Sequence, residues 1–449
     1  MTAPSAFSQP LPRDFIQWAI DRFGHEHEKF IAAFNEDPVV AVRRNPGKAS
    51  KLHFTGETVP WCTEGTYLND RPNFARDPWW HAGAYYVQDA SSMILGQVIQ
   101  QCILPEAPVV LDMCGAPGGK ATLAIDQLPE DGVLVANEVI RNRFPALLHN
   151  LIRWGDPRAF ATNLDPSFFR KKKTLFDLVL VDAPCSGEGL FRKDPEASSH
   201  WSVEHVNHCS LRQKRILSDA DQCLKNGGYL IYSTCTYNET ENFGSLQELI
   251  KSGKYESVPV PLDHSWGITA LQKDGVFGYS CYPHLVRGEG FFFTLLKKKQ
   301  MEGTPSRKSS NIKIRTNQKW PVDLQPDDPG LVCEKGEELF YLRKESQSAF
   351  SKLDGIRDRM KPALMLGRFK GKDPVPDHAL AQARNTEGLP SIELDLENAI
   401  KFLKKEPFVL ENTEPGWLRV TYRGLGLGWI KVLQNRINNY YPSEYRLRK

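Results

Sequence analysis

Two thiols are the groups of this chain best suited to covalent chemistry. Cys185 stands in Asp182-Ala-Pro-Cys185-Ser-Gly-Glu-Gly, and Cys235 in Ser233-Thr-Cys235-Thr-Tyr237, fifty positions further on. Each follows a short apolar run, residues 176–181 or 229–232, of the kind a buried strand needs. Two parallel strands would bring both thiols to one carboxyl edge of a sheet, where open α/β folds bind their ligands. There one thiol can form an adduct that the other helps resolve. A thiol hydrolase would instead want a positioned imidazole, and no histidine stands near either thiol in sequence. Free cysteine is more often a buried structural residue. That reading is given to Cys62, Cys102, Cys209, Cys223, Cys281 and Cys333, and His200, His205 and His208 are read as surface.

A second constellation lies upstream, in Asp112-Met-Cys114-Gly115-Ala116-Pro117-Gly118-Gly119-Lys120. Small residues at a strand-to-helix turn let backbone N–H groups approach a ligand closely. The spacing is not the G-x-G-x-x-G of a dinucleotide site. Ala121 stands where a triphosphate-binding loop needs Ser or Thr, so neither NAD nor a nucleoside triphosphate fits. The next strand ends in Ala136-Asn137-Glu138, about 20 residues past the glycines, where doubly wound folds hold a ribose diol. Asp165 follows the third strand, in a Leu-Asp-Pro segment that is also an ordinary turn start.

The elements that must carry these residues alternate between strand-like and helical patterns from residue 86 to 298, which predicts a parallel sheet with helices on both faces. Ahead of them, residues 1–85 hold a helical pattern and an aromatic-dense stretch containing Trp61, Tyr67, Phe74, Trp79, Trp80, Tyr85 and Tyr86. Residues 299–319 open with lysine and read as a linker, 320–388 as an intermediate domain and 389–449 as a compact C-terminal unit. That unit carries Arg419, Arg423, Lys431, Arg436, Arg446, Arg448 and Lys449 together with Trp417, Tyr422, Trp429, Tyr440, Tyr441 and Tyr445. Cations for phosphate and rings for bases are what an RNA-binding surface requires. Its Gly424-Leu-Gly-Leu-Gly-Trp429 reads as a tight strand bend.

Composition bounds the rest. A chain of 449 residues with a net charge of +3 is long enough for several domains, and any nucleic-acid affinity must come from local patches. Nine cysteines without Cys-x-x-Cys or zinc spacing point to free thiols in a reducing compartment and to no structural metal. No run approaches a membrane span and no leader pattern opens the chain, so the expectation is a cytoplasmic protein with no membrane partner.

Together these segments resemble the RNA cytosine-5 methyltransferases that use S-adenosyl-L-methionine, in the RsmF-like branch acting on ribosomal RNA. The resemblance is carried by residues 112–120, 182–187, 233–235 and the stretch 81–93, and it runs over most of the chain. It implies a Rossmann-like, doubly wound methyltransferase core with an N-terminal α+β extension and a small PUA-like β-barrel at the C-terminus. It implies that Cys114, Gly115, Ala116, Pro117, Gly118, Gly119, Lys120, Glu138, Asp165 and Asp182 line the cofactor pocket, with Cys235 as nucleophile and Cys185 as the thiol that aids release. Asp182, if protonated by burial, would also hydrogen-bond the base edge. One departure is Gly115, where the family usually has alanine. Small-subunit ribosomal RNA is the implied substrate and a monomer is expected. Transfer RNA, or a non-catalytic role in ribosome assembly, are the alternatives.

Overall fold

A computed structural model describes residues 11–48, 54–300, 314–317, 319–410 and 413–448. The start of the chain, where no leader was read, Lys449, and residues 301–313 of the expected linker lie outside them.

At the centre is a ten-stranded sheet. Four strands run parallel in the order Ala159–Thr162, Val133–Asn137, Val109–Asp112, Phe176–Asp182, and Leu224–Thr234 continues them. Phe291–Lys298 then pairs antiparallel with Leu224–Thr234, and the hairpin Thr269–Lys273 with Val276–Cys281 closes that side. The parallel strands are apolar at nearly every position and fully buried, as expected when helices cover both faces. Strand order reverses between Val109–Asp112 and Phe176–Asp182, which opens a crevice at their carboxyl ends.

The N-terminal residues form a separate antiparallel sheet, ordered Gly56–Val59, Cys62–Leu68, Ala41–Arg44 and Tyr85–Val87. Its aromatic residues are mostly core: Trp61, Tyr67 and Tyr85 are buried. Ahead of it, the helix Arg13–Phe23 lays an aromatic face on the central domain, where Trp18 stacks on Tyr237 with ring centres 5.8 Å apart. Tyr237 lies two residues beyond Cys235, so the N-terminus braces the thiol-bearing loop from outside.

Residues beyond the linker are knitted into the whole. Gly330–Lys335, Glu338–Arg343, Met365–Lys370 and Asp373–Pro376 form a small antiparallel sheet. Lys361–Pro362, from the same stretch, adds an edge strand to the central sheet beside Ala159–Thr162. In the C-terminal unit Gly416–Tyr422, Leu425–Leu433 and Arg436–Asn439 run antiparallel, with Ser391–Glu393 parallel to the first and the helix Leu396–Lys404 against them.

Two expectations for that unit change. Arg419, Trp429 and Tyr441 are interior rather than RNA-facing: each is at least 96% buried, and Trp429 donates its indole N–H to the Asp377 carbonyl. The glycine run holds the second half of a turn and then a bulge, where Leu427 stands extra opposite Val420 and Thr421. The turn falls at Arg423-Gly424, both at positive φ, while Gly426 lies inside a strand, where any side chain would strike the Ala381 carbonyl.

Candidate active site

The strands Phe176–Asp182 and Leu224–Thr234 are parallel neighbours with Asp182 opposite Ser233, so the residues just past each meet at one edge. The sulfurs of Cys185 and Cys235 lie 3.0 Å apart. Both residues are partly open to solvent. The Cys185 thiol is pushed well above the ordinary range, first by its hydrogen bond to Cys235, then by burial and by the charges of Cys235 and Glu241. The two thiols are thus hydrogen-bonded to each other, with Cys185 the one whose ionisation is disfavoured.

Charge at this edge is provided by Lys120. Its ammonium sits 2.8 Å from Asp182 and about over the Phe291 ring, at 5.3 Å. Burial pulls the Lys120 pKa down, but Asp182, Cys235 and Asp112 outweigh it and the net shift is upward. A lysine held charged within reach of Cys235 is the electropositive help a nucleophilic thiol requires. Asp182 uses both oxygens as acceptors, one for Lys120 and one for the Ser233 hydroxyl at 2.8 Å. That arrangement suits a side chain that aims Lys120.

The glycine turn sits at the switch point, directly after Val109–Asp112. Gly115 donates its N–H to the Asn137 carbonyl at 2.7 Å, and a Cβ there would lie 3.3 Å from that oxygen. Alanine would be tight at this position, and glycine relieves it. Ala116-Pro117 is a cis peptide; Arg143 donates to the Ala116 carbonyl and Asn150 to that of Pro117. Gly118 holds φ +117° and caps the helix Gly119–Gln127, with Asn150 3.1 Å from where a Cβ would be. Cys114 is the other thiol here; burial first, and the surrounding carboxylates next, raise it far above the range of a useful nucleophile.

Glu138 is buried at the tip of Val133–Asn137, accepts the Ile140 N–H at 2.7 Å and faces Arg143 at 3.7 Å. Asp165 differs. It is exposed and caps the helix Pro166–Arg170 through the Ser167 N–H, whose hydrogen bond lowers its pKa. It stands at the same sheet edge, but its contacts are those of a turn start.

The residues fit S-adenosyl-L-methionine. Asp112 is fully buried, and its Oδ2 has no partner among the described residues. Its pKa rises to about 7, first through burial, then through Asp182, with Lys120 opposing. Three carboxylates crowded at one edge against Lys120 and Arg143 form a site that a cationic sulfonium would relieve.

The clamp beneath the thiols is absent from the motif reading. Glu241, fully buried, accepts the Ser186 N–H at 2.8 Å and the Ser186 hydroxyl at 2.5 Å, and also a hydrogen bond from the Thr236 hydroxyl. Ser186 follows Cys185 and Thr236 follows Cys235, so one carboxylate holds both loops. Gln213 on the helix Val203–Cys223 donates to the Pro184 carbonyl and to Glu241, each at 3.0 Å. Gly189 N–H to the Cys235 carbonyl, at 2.9 Å, completes the link. Glu188 accepts from Tyr237 N–H and Trp201, and burial first raises its carboxyl to about 7. The one available signal was the acidic Asn238-Glu-Thr-Glu241-Asn242 segment after the second motif.

Among the described residues no group of His, Cys, Asp or Glu is arranged to hold a metal, and no helix is long and apolar enough to cross a membrane.

Comparison with known proteins agrees with this geometry. The family described as 16S rRNA methyltransferase RsmB/F matches residues 103–297. The N-terminal domain of 16S rRNA methyltransferase RsmF matches 11–90, and the methyltransferase RsmF PUA domain matches 389–447. A ribosomal RNA small subunit methyltransferase F of Aliivibrio fischeri strain MJ11 is 30% identical over 93% of this chain and 93% of its own length. The protein of that name from Shewanella loihica is 29% identical, covering 86% and 83%. Among solved structures, a methyltransferase homolog from Pyrococcus horikoshii gives a TM-score of 0.54 at 26% identity over 64% of this chain and 95% of that one. NSun6 from the same organism, solved with SFG, shares the fold at TM-score 0.54 and 19% identity over 65% and 99%. With a Rossmann-like core, a glycine turn at its switch point and a PUA domain behind it, this chain belongs to the ribosomal RNA small subunit methyltransferase F family of S-adenosyl-L-methionine-dependent enzymes.

Proposed function

We propose that the protein methylates carbon 5 of a cytosine in small-subunit ribosomal RNA through a transient bond between Cys235 and carbon 6. The observation that carries this reading is the pair of sulfurs 3.0 Å apart at the carboxyl edge beside a charged lysine. Carbon 5 of cytosine is a weak nucleophile while its electrons belong to the ring. Attack of the Cys235 thiolate on carbon 6 breaks that conjugation and makes carbon 5 enamine-like. Bound S-adenosyl-L-methionine supplies an electrophilic methyl group. Residues 114–120, with Glu138 and Asp182, would hold it, and Asp112 would add a carboxyl group at the same edge. Asp165 belongs to this set only as the turn beside it.

A general base takes the carbon-5 proton, the electrons of that bond return to the ring, and the bond between carbon 6 and sulfur breaks to release Cys235 as a thiolate. Cys185, beside the departing sulfur and with a thiol held high, is placed to assist that step. A base stacked in a helix must first be swung out to reach the thiols. The exposed Arg423, Arg436, Arg446, Arg448 and Tyr440, and Trp417 packed on Tyr440 at 4.5 Å, give the C-terminal unit the cations and rings to grip RNA. The division into an N-terminal extension, a catalytic domain to residue 298 and a C-terminal RNA-binding unit from 389, acting as a cytoplasmic monomer, belongs to the same proposal.

Labelled cofactor offered with small subunits, naked ribosomal RNA and transfer RNA tests the reading. Label should enter ribosomal RNA as 5-methylcytosine and be absent with Cys235→Ala, which should still bind cofactor. Incorporation into transfer RNA alone would move the substrate class, and a fully active Cys235→Ala protein would sink the covalent route.

A further inference from the structure

We propose that a cavity of about 160 Å³, walled by the segment after the strand Ala41–Arg44, by residues 383–387 and by the C-terminal unit, binds a phosphate group. Its walls come from three distant parts of the chain: Lys48, the turn bearing Arg384, Thr386 and Glu387, and Arg419 with Gly424. The volume is roughly ten times what a single water requires.

Charge around this cavity does not balance. Six cations gather at the junction: Arg43, Lys48, Arg153, Arg158, Arg384 and Arg419. Two buried carboxylates pair with them directly, while Glu387, Asp327 and Glu393 act on Arg419 at longer range. Asp126 pairs with Arg43 and Arg384, both at 2.8 Å, and Asp156 with Arg158 and Arg384, both at 2.7 Å. Lys48 donates instead to the carbonyls of Ala82 and Arg153, at 2.9 and 2.5 Å. Arg153 donates to the Trp80 carbonyl and to Asn150. Arg419 donates to Thr386 and to the Gly424 carbonyl. Among the described residues, none of these three has a carboxylate within ion-pair distance.

The acids near Arg419 make their hydrogen bonds to other groups. Glu393 accepts from the Thr421 hydroxyl and from the backbone N–H groups of Arg423 and Gly424, and Asp327 accepts the Gly388 N–H. Only Glu387, which is exposed, stands on the cavity wall itself. The Nε–H groups of Arg384 and Arg419 are buried without an acceptor. Uncompensated buried cations are costly, and a ligand carrying the opposite charge removes the cost. Guanidinium and ammonium donors converging on one small cavity suit the oxygens of a phosphate. The source is either a backbone phosphate of RNA or a small phosphorylated ligand. Only the RNA source rests on the function proposed above.

Thermal unfolding of the full-length protein, in inorganic phosphate against chloride at matched ionic strength, tests the site without RNA. The wild-type midpoint should rise saturably with phosphate. Lys48→Met should unfold at a higher temperature than wild type in chloride and respond less to phosphate. Glu387→Gln should bind phosphate more tightly, a gain that misfolding does not imitate. Equal phosphate responses in all three proteins would overturn the proposal. In a second arm, the salt dependence of RNA binding separates the sources. Loss of about one unit of slope in Lys48→Met supports a backbone phosphate. Superimposable slopes overturn the RNA source and leave the small ligand. Because the first arm contains no methylation step, it can fail while the enzyme reading stands, and the reverse holds as well.

Discussion

The carboxyl edge of the central sheet and the three-way junction are both crowded with buried charge, yet they are built in opposite ways. At the edge, carboxylates predominate: Asp112 and Asp182 end their strands, Glu138 follows one, and Lys120 and Arg143 face them. At the junction cations predominate, and Arg384 reaches Asn45 and Asp126 across more than 250 residues. An anionic pocket suits a sulfonium and a cationic one suits phosphate. The difference also separates two kinds of site: one whose residues cluster in short motifs, and one that exists only when distant segments fold together.

The comparison breaks first at the thiols. If the edge performs covalent chemistry, Cys185→Ala should form the Cys235 adduct and fail to release it. A protein–RNA complex that survives denaturing electrophoresis is the expected product, together with near-complete loss of turnover. A variant that turns over freely would remove Cys185 from the release step.

The clamp gives the next effect. Glu241→Gln keeps the shape but replaces an acceptor oxygen with a donor toward Ser186 or Thr236, whose bonds now hold both loops. A displacement of about 1 Å in a reacting group costs on the order of 100-fold in rate. We therefore expect kcat to fall about 10- to 100-fold while KM for the cofactor, whose residues lie on other turns, stays put. A rise in KM with kcat intact would make Glu241 a general structural residue. Asp182→Asn should cost less than loss of Cys235, because Lys120 keeps its charge but loses its aim. Restoration of its activity at higher pH would show that the lysine serves to favour the Cys235 thiolate.

What was legible in the sequence follows the same division. The parallel strands and their helices could be read because each is an unbroken apolar run or a helical period. Both thiols and the glycine turn were legible because the residues act together within a few positions. Glu241 was not, since a glutamate in a polar loop looks like any solvated acid until Ser186 is brought beside it from another strand. The hairpin Thr269–Lys273 with Val276–Cys281 also escaped: its outer strand is mostly exposed and carries no apolar run. In the C-terminal unit Arg419 and Trp429 were misplaced because composition gives residue types, whereas the alternation of strand faces decides which turn inward. The junction was wholly illegible, as its partners share no local pattern.

The smallest effect tests the electrostatic contrast itself, through the dependence of stability on pH. Asp112 titrates at about 7 in the folded protein, chiefly because it is buried, and near 4 when unfolded. Between those values the native state holds a proton that the unfolded chain releases, so stability falls as pH rises, by about 1 kcal/mol per pH unit for this group. Glu188, also raised to about 7 by burial, adds a slope of the same sign. Lys48 acts oppositely: burial and then Arg384 push its pKa well down, so the native state holds that proton less tightly than the unfolded chain and its contribution rises with pH where Lys48 titrates. Urea midpoints measured from pH 5 to pH 7 should therefore decline in the wild type and decline less in Asp112→Asn, which cannot lose a proton there. Lys48→Met should make the decline with pH steeper wherever Lys48 titrates, the opposite sign to Asp112→Asn. If Asp112→Asn kept the full wild-type slope, the proton would reside elsewhere, and the carboxylate crowding that distinguishes the active edge from the junction would lose its energetic meaning.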